Sequence, residues 1–226
     1  LFPIDSEALE SLFDTKLTSE SYIATWTTTP WTLPGNKAMS VNPDFDYDLV
    51  EIEIHSSKKS LVVSSKLLEK TLERYEIDKF KSLGQVKGKE LEGLKCKHPF
   101  LDQESLVISS THVTDEIGTG FVHTAPAHGL EDYEACRDYD FDNSSLVQAD
   151  GKFSEDVPFV GGKKITEANQ VVVDTLESKN LLMSRNKYRH SFPHCWRHKT
   201  PLFFRATPQW FISCLLYTSP SPRDLR

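Results

Sequence analysis

Apolar and polar residues alternate through Val50, Ile52 and Ile54, the two-residue period of a strand with one buried face. The runs 21–28, 60–64, 105–110 and 117–124 read similarly and are expected to be strands. Apolar residues recur at helical spacing in 66–75, 129–139 and 166–179, which predicts three helices. In the last of these Thr166 is the expected cap, and Val172, Val173 and Leu176 form the buried side. The helices interrupt the strands at intervals too irregular for a doubly wound sheet. The expected fold is therefore α+β, a strand-rich, barrel-like domain with inserted helices.

Two stretches carry the candidate chemistry. In the first, TWTTTPWTLPGN at 25–36, Pro30 and Pro34 break any regular element, so the threonines are expected where a strand runs out into a loop and can face a cavity. In the second, EIGTGFVHTAPAHGLEDY at 116–133, Gly118 and Gly120 allow close backbone approach, and Pro126 blocks a helix through His123 and His128. His123 is then expected to end a strand, and Gly129 to open a helix with Glu131 and Asp132 in its first turn. A carboxylate at that position is favoured by the helix dipole, should stay ionised at neutral pH and suits an ammonium group. Hydroxyls from one stretch and imidazoles and carboxylates from the other can line a small polar pocket, a hydrolytic or recognition site. Taken alone, each residue also has a plainer reading. Threonine favours strands, a histidine ending a strand is more often structural than catalytic, His128 keeps that structural reading, Glu131 serves as a dipole partner, and Trp26 belongs to the core.

Composition adds bounds. A chain of 226 residues can bury a sizeable core, and one domain with an appendage is expected. The hydrophobic share is 38% with no apolar run long enough to span a bilayer, and residues 1–10 already contain Asp5, Glu7 and Glu10, so no membrane segment or secretory signal is expected. Cys96, Cys136, Cys195 and Cys214 are scattered without a CxxC pair, which suits a reducing compartment, the cytoplasm by default.

The net charge of −7 is uneven along the chain. Between 185 and 213 there are basic residues and no acidic one: Arg185, Lys187, Arg189, Arg197, Lys199 and Arg205, interleaved with His190, His194, His198, Tyr188, Phe192, Trp196 and Phe203. That strip suits a phosphate backbone with stacked bases, and equally a patch docking on an acidic neighbour. Metal readings are open at two places. His123, His128, Glu131 and Asp132 offer donors, but the histidines lie five apart across Pro126, unlike the four-residue spacing of helical zinc motifs. Cys195 and His198 form a C-x-x-H half site with no second pair in the chain. From Cys214 the run CLLYTSPSPRD is similar to a transposase sequencing adapter translated in frame, so 214–226 is read as a non-native tail.

TTTPWTLPGN at 27–36, GTGFVHTAPAHGLEDY at 118–133 and HSFPHCWRHKTPLFFRATPQWF at 190–211 together resemble isoleucyl-tRNA synthetases of the bacterial type. The similarity runs in order from about 21 to 213 and corresponds to the editing insertion of these class I enzymes plus the return into their catalytic core. It implies an editing domain at 1–183 and a return connection at 184–213. Valyl and leucyl relatives usually carry arginine, as TTRP, where this chain has Thr29. The His-x-Gly-His and Lys-Met-Ser-Lys-Ser motifs that make the adenylate in such enzymes do not occur here, so the segment is not expected to charge tRNA by itself.

The resemblance implies proofreading by hydrolysis of valine wrongly esterified to tRNA(Ile), while the parent charges tRNA(Ile) with isoleucine using ATP and magnesium. One methylene is worth only about 1–3 kcal/mol of binding, a limit for which this amino-acid pair is the standard worked case, and a second pocket too tight for isoleucine restores accuracy. By the same resemblance Asp132 grips the α-ammonium, and His123 sits beside the aliphatic side chain and helps reject isoleucine. Thr27, Thr28, Thr29 and Asn36 form a wall for the terminal adenosine, the ester and the attacking water, and Trp31 belongs to the same pocket. Arg185, Lys187, Arg189, Arg197 and Lys199 are candidate tRNA contacts. Direct attack by a positioned water is expected, without a cofactor or covalent intermediate; some family members hold a structural zinc, for which Cys195 and His198 are the candidate ligands here. The rival readings are an RNA-binding module without catalysis and a metal-dependent hydrolase. Implied partners are tRNA(Ile), valine and isoleucine esters and the remainder of the synthetase chain, with no membrane.

Overall fold

The computed structural model describes residues 1–54, 57–186 and 191–212. Lys187, Arg189, Tyr188, His190 and the 214–226 tail lie outside the described residues. In chain order the elements are β1 (Phe2–Ile4), α1 (Ser6–Phe13), β2 (Glu20–Ile23), a 3-10 turn (Pro30–Gly35), β3 (Ala38–Val41), β4 (Asp46–Ile54) and β5 (Ser57–Ser64). A second 3-10 turn (Ser65–Leu67) leads into α2 (Leu68–Arg74), followed by β6 (Phe80–Lys87), α3 (Gly88–Leu91) and β7 (Lys95–Lys97). Then come β8 (Glu104–Ser109), β9 (Phe121–Thr124), α4 (Leu130–Cys136) and α5 (Ile165–Ser178).

Among the described residues nine strands form one mixed sheet in the order β6-β4-β5-β2-β1-β7-β8-β3-β9. Two pairings are parallel, β2 with β5 and β3 with β8, and the others are antiparallel. The sheet curls until its last strand returns towards its middle. Trp26, on the continuation of β2, bridges Val122 of β9, and Ser64, at the end of β5, donates its backbone N–H to Thr119 O at 2.9 Å. Tyr47 of β4 donates its buried hydroxyl to Gly120 O at 2.8 Å. This curl gives the barrel-like form expected from strand-rich patterning. Gly120 makes the closure possible: its φ is +83°, and a Cβ there would lie 2.3 Å from the Cβ of Ser64.

The main apolar core joins helices α1 and α5 to the strands. Leu9 and Phe13 of α1, Val172 and Leu176 of α5, and Tyr47, Leu49, Leu61, Val63 and Phe121 from the strands are all buried in it. Each large apolar side chain so buried contributes about 1.5–3 kcal/mol relative to exposure.

Several boundaries and one buried position differ from the pattern reading, among them the strand expected over 117–124, which begins at Phe121. The strand expected over 21–28 ends at Ile23, because the threonines that follow turn on their own side chains instead of extending the ladder. The last helix starts at Ile165, with Lys164 at the cap position and Glu167 accepting from the Lys164 N–H at 3.2 Å, so Thr166 is inside the first turn and does not cap it. Val173 is only half-buried, while Ala168, Val172 and Leu176 are the buried positions of α5. Helices over 66–75 and 129–139 are present in shortened form as α2 and α4.

Candidate functional site

The threonine run is a built turn. Thr29 N–H donates to Thr27 Oγ1 at 3.0 Å, a side-chain turn of the kind Ser and Thr favour, and Pro30 then opens the 3-10 turn with its φ already set. Thr32, buried in that turn, donates its hydroxyl to Thr29 O at 2.8 Å. The Oγ1 atoms of Thr27 and Thr29 lie 3.4 Å apart, and those of Thr29 and Thr32 lie 3.5 Å apart. Hydroxyls therefore form a short chain along one wall.

β9 supplies another part of the wall through Phe121, Val122 and His123, and it is held by antiparallel pairing with β3, which sets Met39 opposite His123. Asn36, fully buried just before β3, donates from Nδ2 to Ala38 O at 2.8 Å and to His123 Nδ1 at 2.8 Å. An amide nitrogen has no lone pair to offer, so Nδ1 accepts and the ring carries its proton on Nε2. That Nε2–H donates to Thr32 Oγ1 at 3.0 Å, whose own proton is committed to Thr29 O. Burial, reinforced by the neighbouring His98 and His128, lowers the His123 pKa to about 3. His123 is thus a neutral ring with both nitrogens engaged, a shaped wall and a brace for the threonines and not a proton carrier.

Asp132 reaches the same space from α4. Its Oδ2 accepts from Ala125 N–H at 2.9 Å, folding the carboxylate back over the start of its own helix. Gly129 leaves room for this, since a Cβ there would stand 3.0 Å from Asp132 Cγ and 3.0 Å from Oδ2. Burial raises the Asp132 pKa to about 6, partly opposed by the bond from Ala125 N–H and augmented by Glu131. Stabilisation by the helix dipole was the expectation. Desolvation outweighs it here, in a helix of only seven residues, although the group is still mostly ionised at pH 7.

Thr27, Thr28, Thr29, Thr32, His123 and Asp132 line one cavity of about 420 Å³, together with His112, Glu131 and His128. That volume lies within the ordinary range for a small-molecule site. Asn36 and Trp31 do not line it. Asn36 stands behind His123, and Trp31 is buried edge-on against His128, Phe153 and Phe203. Thr32 and His112 are site residues that the pattern reading did not single out. Only the spacing of Thr32 to Thr29, one 3-10 turn, hinted at the first.

The other candidates lie elsewhere. Arg185 donates from Nη2 to Gln170 Oε1 at 3.1 Å and lines a second cavity of about 390 Å³, which shares Trp26, Thr27, Thr28 and Ile117 with the first. Arg197 stacks over the Trp196 ring at 5.0 Å. The strip that holds it returns to the domain through Ala206 N–H, which donates to Ala127 O at 2.8 Å, and through Phe203 against Trp31. Cys195 Sγ lies 3.4 Å from His198 Nδ1, but among the described residues no group of three or more His, Cys, Asp or Glu could hold a metal ion. With both its nitrogens occupied, His123 has no lone pair free for a metal.

Residues 5–189 match the family model described as the leucyl-tRNA synthetase editing domain. The chain belongs to that editing-domain family. Its sequence is 50% identical over 196 residues to the isoleucine–tRNA ligase of Nitrosomonas europaea, covering 87% of this chain and 20% of that protein. It is 45% identical over 210 residues to the isoleucine–tRNA ligase of Coxiella burnetii strain CbuG_Q212, covering 92% of this chain and 22% of that protein. The chain therefore spans about a fifth of the length of these relatives. The P. knowlesi cytosolic leucyl-tRNA synthetase editing domain has the same fold, with a TM-score of 0.60 at 14% identity, covering 80% of this chain and 93% of that one. The P. falciparum counterpart superposes with a TM-score of 0.57 at 15% identity. As an editing domain, the chain resembles the isoleucine enzymes in sequence and the leucyl domains in fold.

Proposed function

We propose that the cavity hydrolyses the ester joining valine to the 3′ end of tRNA(Ile). The observation that carries this reading is the convergence of Asp132, His123 and the Thr27–Thr29 hydroxyls on one cavity. Asp132, mostly ionised at pH 7, holds the α-ammonium of the aminoacyl group. The threonine hydroxyls hold the ribose and ester oxygens and orient a water. That water attacks the carbonyl carbon, the bond from acyl carbon to ribose oxygen breaks, and the water's second proton goes to the departing ribose oxygen. Free valine and uncharged tRNA result. Positioning and hydrogen bonding by preorganised hydroxyls supply the rate. The neutral, braced ring of His123 limits the space beside the acyl side chain, so an isopropyl group enters and a sec-butyl group does not.

The parent enzyme in this reading charges tRNA(Ile) with isoleucine, using ATP and magnesium at a site outside this chain, and works in the cytoplasm. Residues 184–213 lead back into that remainder, and the basic side chains among them contact tRNA or the catalytic core. Deacylation of valyl-tRNA(Ile) and isoleucyl-tRNA(Ile) by the intact enzyme, with and without Asp132→Ala, tests the proposal. Preferential hydrolysis of the valyl ester, lost in the variant, is expected. Equal rates on both esters would end the size-sieve account, and an unaffected variant would favour an RNA-binding role instead. Activity that disappears on exhaustive chelation would favour the metal-dependent hydrolase.

A further inference from the structure

The two cavities that meet at Trp26, Thr27, Thr28 and Ile117 carry opposite charge. Among the described residues, the charged side chains lining the first are the carboxylates Glu131 and Asp132, and burial lowers the pKa of its three histidines, His112, His123 and His128. Those lining the second are Arg74 and Arg185, and no described carboxylate joins them. Arg74, half-buried at the end of α2, donates from Nη1 to Gly118 O at 3.5 Å. Gly118 lines the first cavity, so this guanidinium stands where the two spaces join. Arg185 is exposed and donates from Nη2 to Gln170 Oε1 at 3.1 Å, so the second cavity reaches solvent beside it.

An RNA end brings phosphate with it, and the first cavity is the wrong place for an anion. Carboxylates that attract an ammonium group repel a phosphate at the same range. The ester oxygen and the 5′-phosphate of a terminal nucleotide are attached to opposite edges of one ribose. Thr27 and Thr28 line both cavities, so a ribose held by them delivers its ester to one and its phosphate to the other. We infer that the second cavity is the phosphodiester site for the tRNA 3′ end, where Arg74 and Arg185 hold the linkage between the last two nucleotides. This rests on the deacylase reading above and adds a binding site to it. The residue type fits the ligand, because the planar guanidinium fork matches two phosphate oxygens and its hydrogen bonds to them are charge-assisted. Each arginine spends one N–H on the bond just given, and a guanidinium carries five donors. Such a contact positions the strand and reads no base.

The test compares two substrates on the full-length enzyme: natural valyl-tRNA(Ile), and the same charged tRNA with a methylphosphonate as its last internucleotide linkage, which keeps the strand and removes that charge. The readout is the ratio of kcat/KM for natural over neutral substrate in wild type, Arg74→Gln, Arg185→Gln and the double variant. Loss of folded protein lowers both rates by one factor and cancels in the ratio. Charge-assisted pairing predicts that wild type prefers the natural linkage by about tenfold or more, chiefly through KM. Each single variant should lose part of that preference, and the double variant should bring the ratio near one. A wild-type ratio near one overturns the assignment, and so does a ratio undiminished in the double variant, since the charge would then be met elsewhere. Substitution of the exposed Arg185 leaves the fold intact, so an unchanged ratio in Arg185→Gln overturns the two-arginine site even if the double variant does not fold. Wild type that hydrolyses neither substrate overturns the deacylase reading itself, an outcome distinct from failure of the phosphate site.

Discussion

Asn36 Nδ2 lies 2.8 Å from His123 Nδ1, and this contact fixes the protonation, tautomer and orientation of the ring that shapes the cavity. The same amide is tied to Ala38 O at 2.8 Å, so it cannot flip without losing a bond at the start of β3. Asn36→Ala leaves a buried carbonyl and a buried ring nitrogen unpaired. It should destabilise the protein by about 1–3 kcal/mol, seen as a lower urea midpoint at constant slope. Deacylation should fall with it, because Thr32 and Thr29 hang from the same ring.

Asp132 sets function against stability. Its carboxyl is held near pKa 6 in the folded state against 3.8 in the unfolded chain, so between those values the folded form binds more protons. Stability from this group therefore declines as pH rises through that window, and its cost is fully present at pH 7. Asp132→Asn should raise stability at pH 7 by on the order of 1–2 kcal/mol after solvent screening, with the gain vanishing near pH 4. Urea denaturation at the two pH values checks this. Deacylation by the wild type should run the opposite way, falling as pH drops through about 6, because only the ionised carboxylate holds an ammonium.

Gly129→Ala offers a cleaner separation. The added methyl would stand 3.0 Å from the Asp132 carboxyl carbon, and the side chain can swing away at little cost to the fold. Valyl-tRNA deacylation should drop by roughly tenfold while thermal stability changes by less than about 1 kcal/mol. A large loss of stability with retained activity would show that the carboxylate is not placed by this contact.

How much of this was legible in the sequence differs from residue to residue. His123 and Asp132 stood out because Pro126 and Gly129 force a break between strand and helix, and such breaks are written in single residues. Thr27 to Thr29 line the cavity, but the strand leading to them is shorter than the pattern implies, because threonine's strand preference conceals its ability to accept from a backbone N–H two residues on. The resemblance puts Asn36 and Trp31 on the wall, whereas in the structure they pack behind it, against His123 and His128. Residues inside a 3-10 turn return to the same face every third position, and the prolines give no register from which to count. The cap at Lys164 escaped for a related reason: only Glu167 marks it, without the usual serine or threonine partner. Thr32 and His112 take their roles from tertiary neighbours, and no local pattern announces those.

His123→Ala should relax the size limit. Removing the ring opens space beside the acyl group, so the ratio of isoleucyl to valyl deacylation should rise by about tenfold, the scale of one methylene in an apolar pocket. Single-turnover hydrolysis of both charged tRNAs measures it. Because the ring is neutral with both nitrogens engaged, no titration assignable to His123 should appear in the wild-type rate profile between pH 6 and 8.

Ninety-one residues separate Thr32 from the ring it braces. At cellular elongation rates of about 5–20 residues per second, the hydroxyl run leaves the ribosome roughly 5 to 18 seconds before β9 exists to meet it. Through that interval the threonines can bond one another within 27–32, but Thr32 has no ring to meet. The contact between the threonine turn and His123 therefore cannot form before β9 is made, and translational pausing between the two segments lengthens the time during which it is absent.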